Sequence, residues 1–337
     1  MSSTHYQPHK ILITGGAGFI GANFIRYLLA HDPHVIIFNL DALTYAGSPH
    51  NLDQLPDPKR HTFIQGNICD APLVRDLLQR HEIDTIIHFA AESHVDRSIQ
   101  GPAPFIQTNV VGTFTLLEAA KQYWQTQKKW NHTQCRFHHV STDEVYGTLT
   151  AIDPPFTEKT PYAPNSPYSA SKAGSDHLVR AYFHTYQLPV TMSNCSNNYG
   201  PYQHPEKLIP TIIRACQTQQ PIPLYGDGSN IRDWLYVEDH CSGIDLIVRQ
   251  GQLGETYNIG GSHELNNITV AQSICALMDT LSPQSKPHTH LIQFITDRPG
   301  HDWRYAIDSC KIARELNWQA KVIFNEGLAK TIRFYLE

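Results

Sequence analysis

Lys10-Ile11-Leu12-Ile13-Thr14-Gly15-Gly16-Ala17-Gly18-Phe19-Ile20-Gly21 decides the fold. A short apolar run with the character of a buried strand passes directly into a glycine-rich turn. The turn opens an amphipathic stretch, residues 21–30, that reads as a helix. Gly16, Gly18 and Gly21 satisfy Gly-x-Gly-x-x-Gly, and Gly15, Gly18 and Gly21 satisfy Gly-x-x-Gly-x-x-Gly. Glycines at these positions permit a tight turn and a close backbone approach, so a pyrophosphate can sit at the helix N-terminus. Glycine-rich turns also arise for packing alone. The strand before this one and the helix after it are what give it meaning.

Outward from that turn, short apolar runs alternate with amphipathic stretches. The pattern predicts strands over residues 35–40, 61–65, 85–90, 136–141 and 189–193, and helices over 73–80, 108–124 and 168–186. Strands alternating with helices imply a parallel sheet covered on both faces. The fold class is therefore α/β, with a Rossmann-type doubly wound parallel sheet. After Asn194 proline and glycine become frequent, as at Pro201, Pro205, Pro221, Pro223, Gly226 and Gly228, and the helices look shorter. Residues 1–194 read as a Rossmann domain carrying the catalytic residues. Residues 195–337 read as a smaller C-terminal substrate-binding lobe. Segments near 235–260 are expected to return to the main sheet, with 256–259 as the returning strand.

Composition narrows the class. With 337 residues, 41% of them hydrophobic and 17% charged, the chain can bury a large core and is not of disordered type. A formal net charge of -5 gives no electrostatic reason to expect nucleic acid or an anionic membrane as partner. The seven cysteines (Cys69, Cys135, Cys195, Cys216, Cys241, Cys275 and Cys310) are odd in number and contain no Cys-x-x-Cys. That suits reduced thiols in a cytoplasm. The first nine residues are polar and read as lacking a signal-peptide core. No apolar run approaches the ~18 residues of a membrane span. The histidines are scattered, without a convincing helical His-x-x-x-His pair, so no metal site is expected. His88, His138 and His139 fall in apolar runs and read as interior strand residues.

Asp41 lies after the second predicted strand. A carboxylate there can accept bonds from adenosine ribose hydroxyls and would repel a 2′-phosphate, which favours NAD over NADP. Asp70 follows the third strand, where it can approach the adenine. Ala90-Ala91-Glu92-Ser93-His94 follows the fourth, at the carboxyl edge where ligands of such sheets bind. Loop capping is the plain alternative for Glu92 and Ser93.

The chemistry is carried by Ser141-Thr142-Asp143-Glu144-Val145-Tyr146-Gly147 and by Tyr168-Ser169-Ala170-Ser171-Lys172. Tyr168 and Lys172 are four apart and share a helix face. A lysine ammonium near the phenol, together with a positive nicotinamide ring, favours the phenolate, so Tyr168 is expected to act as a base near neutral pH. The Thr142 hydroxyl can bond a substrate oxygen and the Tyr168 oxygen. Taken alone, Asp143 and Glu144 read as first-turn helix acids, which are common. Beside a tyrosine base and a cofactor loop they read as the acid and the base of an elimination, a task an ordinary dehydrogenase lacks.

At these residues the chain resembles a known family, the nucleotide-sugar 4,6-dehydratases of the extended short-chain dehydrogenase superfamily, and most closely those acting on dTDP-glucose. The resemblance covers nearly the whole chain. Besides the two catalytic pieces it rests on residues 90–98, on Asn194-Cys195-Ser196-Asn197-Asn198-Tyr199-Gly200-Pro201-Tyr202, on residues 205–210 and 232–240, and on Asp297-Arg298-Pro299-Gly300-His301. It implies cofactor contacts at Gly15, Gly18, Phe19, Ile20, Gly21, Asp41, Leu43, Thr44, Asp70, Ala90, Ala91, Ser93, Thr108, Ser141, Tyr168, Lys172 and Asn198, the last near the nicotinamide amide. It implies substrate contacts at His94, Thr142, Asn197, Glu206, Lys207, Leu208, Arg232, Asn267, Arg298 and His301, with Pro223 and Tyr225 near the base. Arg232 and Arg298 suit diphosphate charge, which guanidinium groups bind in forked geometry. Two positions depart from the family pattern: Ala42 stands where lysine is usual, and Trp303 where arginine is frequent. The resemblance also implies a homodimer through the long helices that contain Thr115 and Tyr182.

The implied activity converts dTDP-glucose to dTDP-4-keto-6-deoxyglucose and water by C4 oxidation, C5/C6 elimination and C6 reduction on one retained NAD. The implied setting is cytoplasmic, with deoxysugar pathways such as that of rhamnose downstream. A UDP-glucose 4,6-dehydratase would use the same residues. A nucleotide-sugar 4-epimerase begins with the same oxidation but has no use for Asp143 and Glu144. A GDP-mannose dehydratase would be expected to have an NADP-type pocket, which Asp41 disfavours. An NAD-binding sensor of the same fold could dispense with catalytic residues that are intact here.

Overall fold

The structure, a computed structural model, describes residues 5–337. The polar-leader reading of residues 1–4 lies outside the described residues. The strands are β1 Lys10–Thr14, β2 Ile36–Asp41, β3 His61–Gln65, β4 Thr85–His88, β5 Arg136–Thr142, β6 Val190–Cys195, β7 Asn197–Tyr199, β8 Ile222–Tyr225, β9 Ile231–Tyr236, β10 Thr256–Ile259, β11 Glu264–Asn266 and β12 Ile292–Ile295. The main helices are α1 Phe19–His31, α2 Ala71–His81, α3 Val95–Gln100, α4 (residues 103–127), α5 Pro167–Tyr186, α6 Leu208–Thr218, α7 Val237–Gln250, α8 Asn267–Leu281, α9 Cys310–Leu316 and α10 Phe324–Leu336.

Seven strands form the main sheet in the order β10-β6-β5-β4-β1-β2-β3, and every neighbouring pair is parallel. Strands β4, β5 and β6 are buried along their whole length rather than alternately, because helices cover both faces. On one face α1 and α7 enclose Phe24, Leu28, Ile244 and Ile247. On the other, α2, α4 and α5 enclose Leu77, Leu117, Trp124 and Val179. The chain winds from β1 outward to β3, then crosses back to β4. The strand order thus reverses between β1 and β4, and the carboxyl ends there diverge into a crevice. A separate apolar cluster, including Ile212, Ile222, Ile274, Met278 and Leu328, holds the remaining elements over one end of that crevice. Two small sheets, β11-β9-β7 and β12-β8, carry its loops. Within residues 235–260, α7 covers the main sheet and β10 joins it beside β6, whereas 235–236 close β9 of a small sheet.

Several boundaries differ from the sequence expectation. The strand expected over 85–90 ends at His88, because the backbone of Phe89 and Ala90 peels away to bond Thr14. The helix expected over 108–124 runs through residues 103–127, with Ile106–Gly112 and Lys121–Gln127 in π geometry. Side-chain periodicity carries no signal for that looser winding. The helices beyond Asn194 are not uniformly shorter: α8 has 15 residues against 13 in α1. Proline and glycine concentrate in the connections. Pro210 sits instead in the first turn of α6, where its missing N–H leaves no helix bond unmade. Among the described residues no helix is long and apolar enough to cross a membrane. In the same residues no group of three or more His, Cys, Asp or Glu could hold a metal ion, and the seven cysteines are free thiols.

Candidate active site

A cleft of about 290 Å³ follows the carboxyl ends of β1, β2, β4, β5 and β6. A larger hollow of about 790 Å³ lies elsewhere, against Tyr6, Asp84 and Arg136, and holds none of the expected site residues. The glycine turn forms one end of the cleft. Gly15 has φ +73°, and a Cβ there would stand 2.6 Å from the Ala90 nitrogen, so only glycine fits. A Cβ at Gly21 would run into the Gly15 carbonyl oxygen. Helix α1 starts at Gly18 with no side-chain cap, which leaves its first-turn amides open to an anion. Asp41 is buried and accepts from the Ala17 and Leu43 amides at 2.9 and 2.8 Å. Those bonds fix its carboxylate and leave lone pairs for ribose hydroxyls. At the other end, Asn197 Oδ1 and Asn198 Oδ1 are buried without a protein partner. They are acceptors placed where an amide N–H₂ can meet them. A glycine cradle, an open helix terminus, a fixed carboxylate and orphaned amide oxygens together fit a dinucleotide.

The structure gathers nearly all the expected cofactor residues along this cleft: Gly15, Gly18, Phe19, Ile20, Gly21, Asp41, Thr44, Ala90, Ala91, Ser93, Thr108, Ser141, Tyr168, Lys172 and Asn198. Two stand apart. Leu43 adopts a left-handed φ of 52° and serves the loop by donating its amide to Asp41. Asp70 caps α2, accepting from the Leu73 amide at 3.1 Å, because a carboxylate one residue before a helix is captured by its free N–H groups. Gly66, Asn67 and Ile68 line the cleft at that end instead.

The catalytic candidates converge where β5 ends. Thr142 closes the strand, and its hydroxyl accepts the Glu144 amide at 3.3 Å, capping a short 3₁₀ turn, Asp143–Tyr146. The turn throws Asp143 and Glu144 into the cleft beside Tyr168. Tyr168 and Lys172 come from the first two turns of α5, whose start is set by a Ser166–Ser169 capping box. The Thr142 hydroxyl lies on the same stretch of cleft as the Tyr168 phenol and favours its ionised form.

Electrostatics separate the two carboxylates. Burial, then the neighbouring charges of Glu144 and Asp233, push Asp143 well above the usual carboxylate range. Burial also raises Glu144, but Lys207, Arg232 and Arg298 all pull against it. Asp143 is thus the group that keeps a proton and Glu144 the one better able to give its proton up, which is the division of labour between an acid and a base. Burial and the Glu144 charge hold the Tyr168 phenol well above its ordinary value. Lys172 does not bond it; the ammonium donates to the Val140 carbonyl at 2.8 Å. Base action by Tyr168 near neutral pH therefore depends on positive charge beside the phenol, from the Lys172 ammonium and the nicotinamide ring together.

Thr142, Asn197 and Lys207 are the expected substrate residues that line the cleft itself. The others do not line it, though Arg232 and Arg298 act on the Glu144 charge. Glu206 joins His94 Nε2 at 3.4 Å and Arg97 at 2.7 Å, and Lys207 donates to the Ser93 carbonyl at 3.2 Å. Leu208 starts α6 and Asn267 starts α8, its amide bonded to the Asn230 carbonyl at 3.0 Å. Pro223 and Tyr225 lie on β8; the Tyr225 ring is 5.9 Å from that of His301, whose Nδ1 bonds Asp297 at 2.6 Å. Arg232 donates to the Asp302 carbonyl at 2.9 Å and lies 4.3 Å over the Tyr305 ring. Trp303, 37% exposed, accepts through its carbonyl from the Ile231 amide and from Arg232. Ala42 lines the cleft beside Asp41.

Sequence reasoning missed Tyr45, Cys195, Gln203 and Tyr305. Tyr45 follows Thr44, Cys195 lies inside the 194–202 run without having been given a role, and Gln203 follows that run directly. Tyr305 had no local signal: isolated bridges from Leu149, Ile231 and Phe156 to residues 304 and 307 bring it in, and the Glu144 charge acts on its phenol.

A family model described as GDP-mannose 4,6 dehydratase matches residues 12–331. The chain is 55% identical over 327 residues to a dTDP-glucose 4,6-dehydratase of Xanthomonas campestris pv. campestris (strain B100), covering 96% of this chain and 92% of that one. It is 51% identical over 335 residues to dTDP-glucose 4,6-dehydratase 1 of Escherichia coli (strain K12), covering 97% and 92%. Among solved structures it resembles the dTDP-glucose 4,6-dehydratase DesIV of Streptomyces venezuelae with NAD bound, at TM-score 0.87 and 46% identity, covering 97% of each chain.

Proposed function

This chain belongs to the dTDP-glucose 4,6-dehydratases of the nucleotide-sugar dehydratase family, and we infer from that premise how its residues turn dTDP-glucose into dTDP-4-keto-6-deoxyglucose and water. It is an NAD-dependent hydro-lyase. The observation that carries the mechanism is the placement of two unequally tuned carboxyls, Asp143 and Glu144, at one strand end beside Tyr168.

Gly15, Gly18 and Gly21 hold the pyrophosphate of NAD, Asp41 its adenosine ribose and Asn198 its carboxamide. Held by these residues, NAD would supply a hydride acceptor for the sugar C4 and, once reduced, a hydride donor for C6, and its positive charge would favour the Tyr168 phenolate. Tyr168 takes the proton of the 4-hydroxyl, and Thr142 bonds the 4-oxygen throughout. The resulting ketone acidifies C5. Glu144 removes the C5 proton while Asp143 gives its own to the departing 6-oxygen, so one water leaves. Glu144 then returns the proton to C5. Arg232 and Arg298 hold the diphosphate, and Lys207, with Arg232 and Arg298, restrains the negative charge on Glu144. A 4-epimerase needs the oxidation alone and would leave the acid–base pair idle.

The finer reading is a homodimer at work in the cytoplasm, supplying deoxysugar pathways such as that of rhamnose. Its thiols are all free. Thr115 and Tyr182, taken from the resemblance as markers of the interface helices, are buried within the chain. The apolar side chains those helices expose are Ile106, Val111, Phe114 and Tyr186, with Ile99 beside them. Proton NMR of the purified protein, given dTDP-glucose and UDP-glucose in parallel without added NAD, tests the activity. A 6-methyl doublet from dTDP-glucose alone is expected. Silence with both sugars, even after NAD is added, would remove it.

A further inference from the structure

Behind the Tyr168–Lys172 pair lies a buried polar cluster that the mechanism leaves unused. Asp176 follows Lys172 by one turn of α5 and is 2% exposed. Its Oδ2 accepts from Ser141 Oγ at 2.7 Å and from the Tyr162 hydroxyl at 3.0 Å. Its Oδ1 lies 3.1 Å from Nε2 of His139, a fully buried residue of β5. The same Nε2 stands 3.5 Å from Lys172 Nζ. Lys172 alone of His139, Asp176 and Lys172 reaches the cleft.

An ammonium sealed from water is costly unless a counter-charge accompanies it. The groups acting on Lys172 are Asp176 on its own helix and the Cys195 thiol on β6. His139 on β5 and His88 on β4 complete its surroundings, and burial and the lysine charge hold both far below the ordinary imidazole range. Asp176 is therefore the carboxylate available to balance the ammonium. The groups facing Asp176 in turn are Lys172 and His177 on α5, Ser141 and His139 on β5, Tyr162 before α5, and Tyr146 after β5.

We propose that Asp176, acting through His139, is a positioning residue for the oxidation step: its carboxylate keeps Lys172 an ammonium and so sets the pH at which Tyr168 serves as base. This rests on the reading of Tyr168 and Lys172 as the oxidising pair. Burial pushes Asp176 up to about 6, so its charge is present above that pH and lost as pH falls through it.

Asp176→Asn keeps the shape and removes the charge. In the NAD-loaded enzyme turning over dTDP-glucose, the ascending limb of the kcat–pH profile moves up by about one pH unit, and kcat at pH 7 falls roughly tenfold. KM stays within about twofold, because Asp176 does not line the cleft. Ultraviolet difference titration against a Tyr168→Phe background reads the phenolate directly and moves alkaline by a similar amount. Tyr162→Phe removes one donor to the carboxylate, raises its pKa and shifts the limb the same way by less, which keeps the test open if Asp176→Asn does not fold. An unmoved limb and an unmoved phenolate titration in folded, NAD-loaded variants would overturn the inference, whatever happened to stability. Full turnover by Tyr168→Phe would instead remove the oxidising pair, and the inference with it.

Discussion

Arg298 Nη1 stands 2.8 Å from Asp96 Oδ1, an ion pair that ties the 297–301 loop to helix α3 across the site. Burial works to raise Asp96, but the Arg298 bond and charge outweigh it and hold the carboxyl below its ordinary range. The guanidinium is thereby aimed at the site before a diphosphate arrives to share it. Arg298→Ala is expected to raise KM for dTDP-glucose by roughly 10- to 100-fold, the value of a charge-assisted hydrogen bond, with kcat changed far less. Steady-state kinetics check this. An unchanged KM would place Arg298 outside substrate binding.

Asp143→Asn and Glu144→Gln separate oxidation from elimination. Each is expected to lower formation of the 6-methyl product by about 10²-fold or more. C4 oxidation should survive in part, so absorbance at 340 nm rises on substrate addition and decays slowly. Full product formation by the double variant would show that these acids take no part.

Asp176 also marks the pH dependence of stability. Its folded-state pKa of about 6 lies above the ordinary 3.8, so between these values the folded chain binds more protons than the unfolded one. Stability from this group is complete below the lower value and is lost as pH rises through about 6. The loss amounts to about 3 kcal/mol across that window. Urea unfolding at pH 4 and pH 6.5 is expected to show wild type losing about 2 kcal/mol more stability than Asp176→Asn, the share of that loss falling within this interval. Parallel losses in both proteins would contradict the buried-carboxylate account.

Ile106 is 49% and Phe114 46% exposed on α4. Replacing both with glutamate is expected to yield a monomer by sedimentation velocity, since charge cannot be buried against a second apolar helix pair without a partner. A dimer unaffected by both changes would move the interface elsewhere.

Much of the site was legible because its determinants are local. A glycine turn between strand and helix, an acid after the second strand, and Tyr-x-x-x-Lys on one helix face are each set by a few neighbouring residues. The position of Asp70 is local in origin too: it follows the third strand and, standing one residue before a helix, it caps the helix amides. The parallel character of the main sheet followed from alternation of element types, since parallel strands need crossover connections, whereas the order of its seven strands came from the structure alone.

Ionisation was not legible. Asp143 and Glu144 are adjacent in sequence, yet they divide into acid and base because Lys207, Arg232 and Arg298 arrive from three distant segments to face one of them more than the other. Tyr305 entered through isolated bridges that no periodicity records. Lys172 shares a helix face with Tyr168, but that it bonds Val140 and lies next to the His139–Asp176 pair is set by β5 and has no local signal. The sequence by itself determined which residues line up along the sheet edge, because strand and helix formation depend on short-range pattern. Only the tertiary structure decided what charge each one carries, because burial and Coulomb terms depend on neighbours brought together from across the chain.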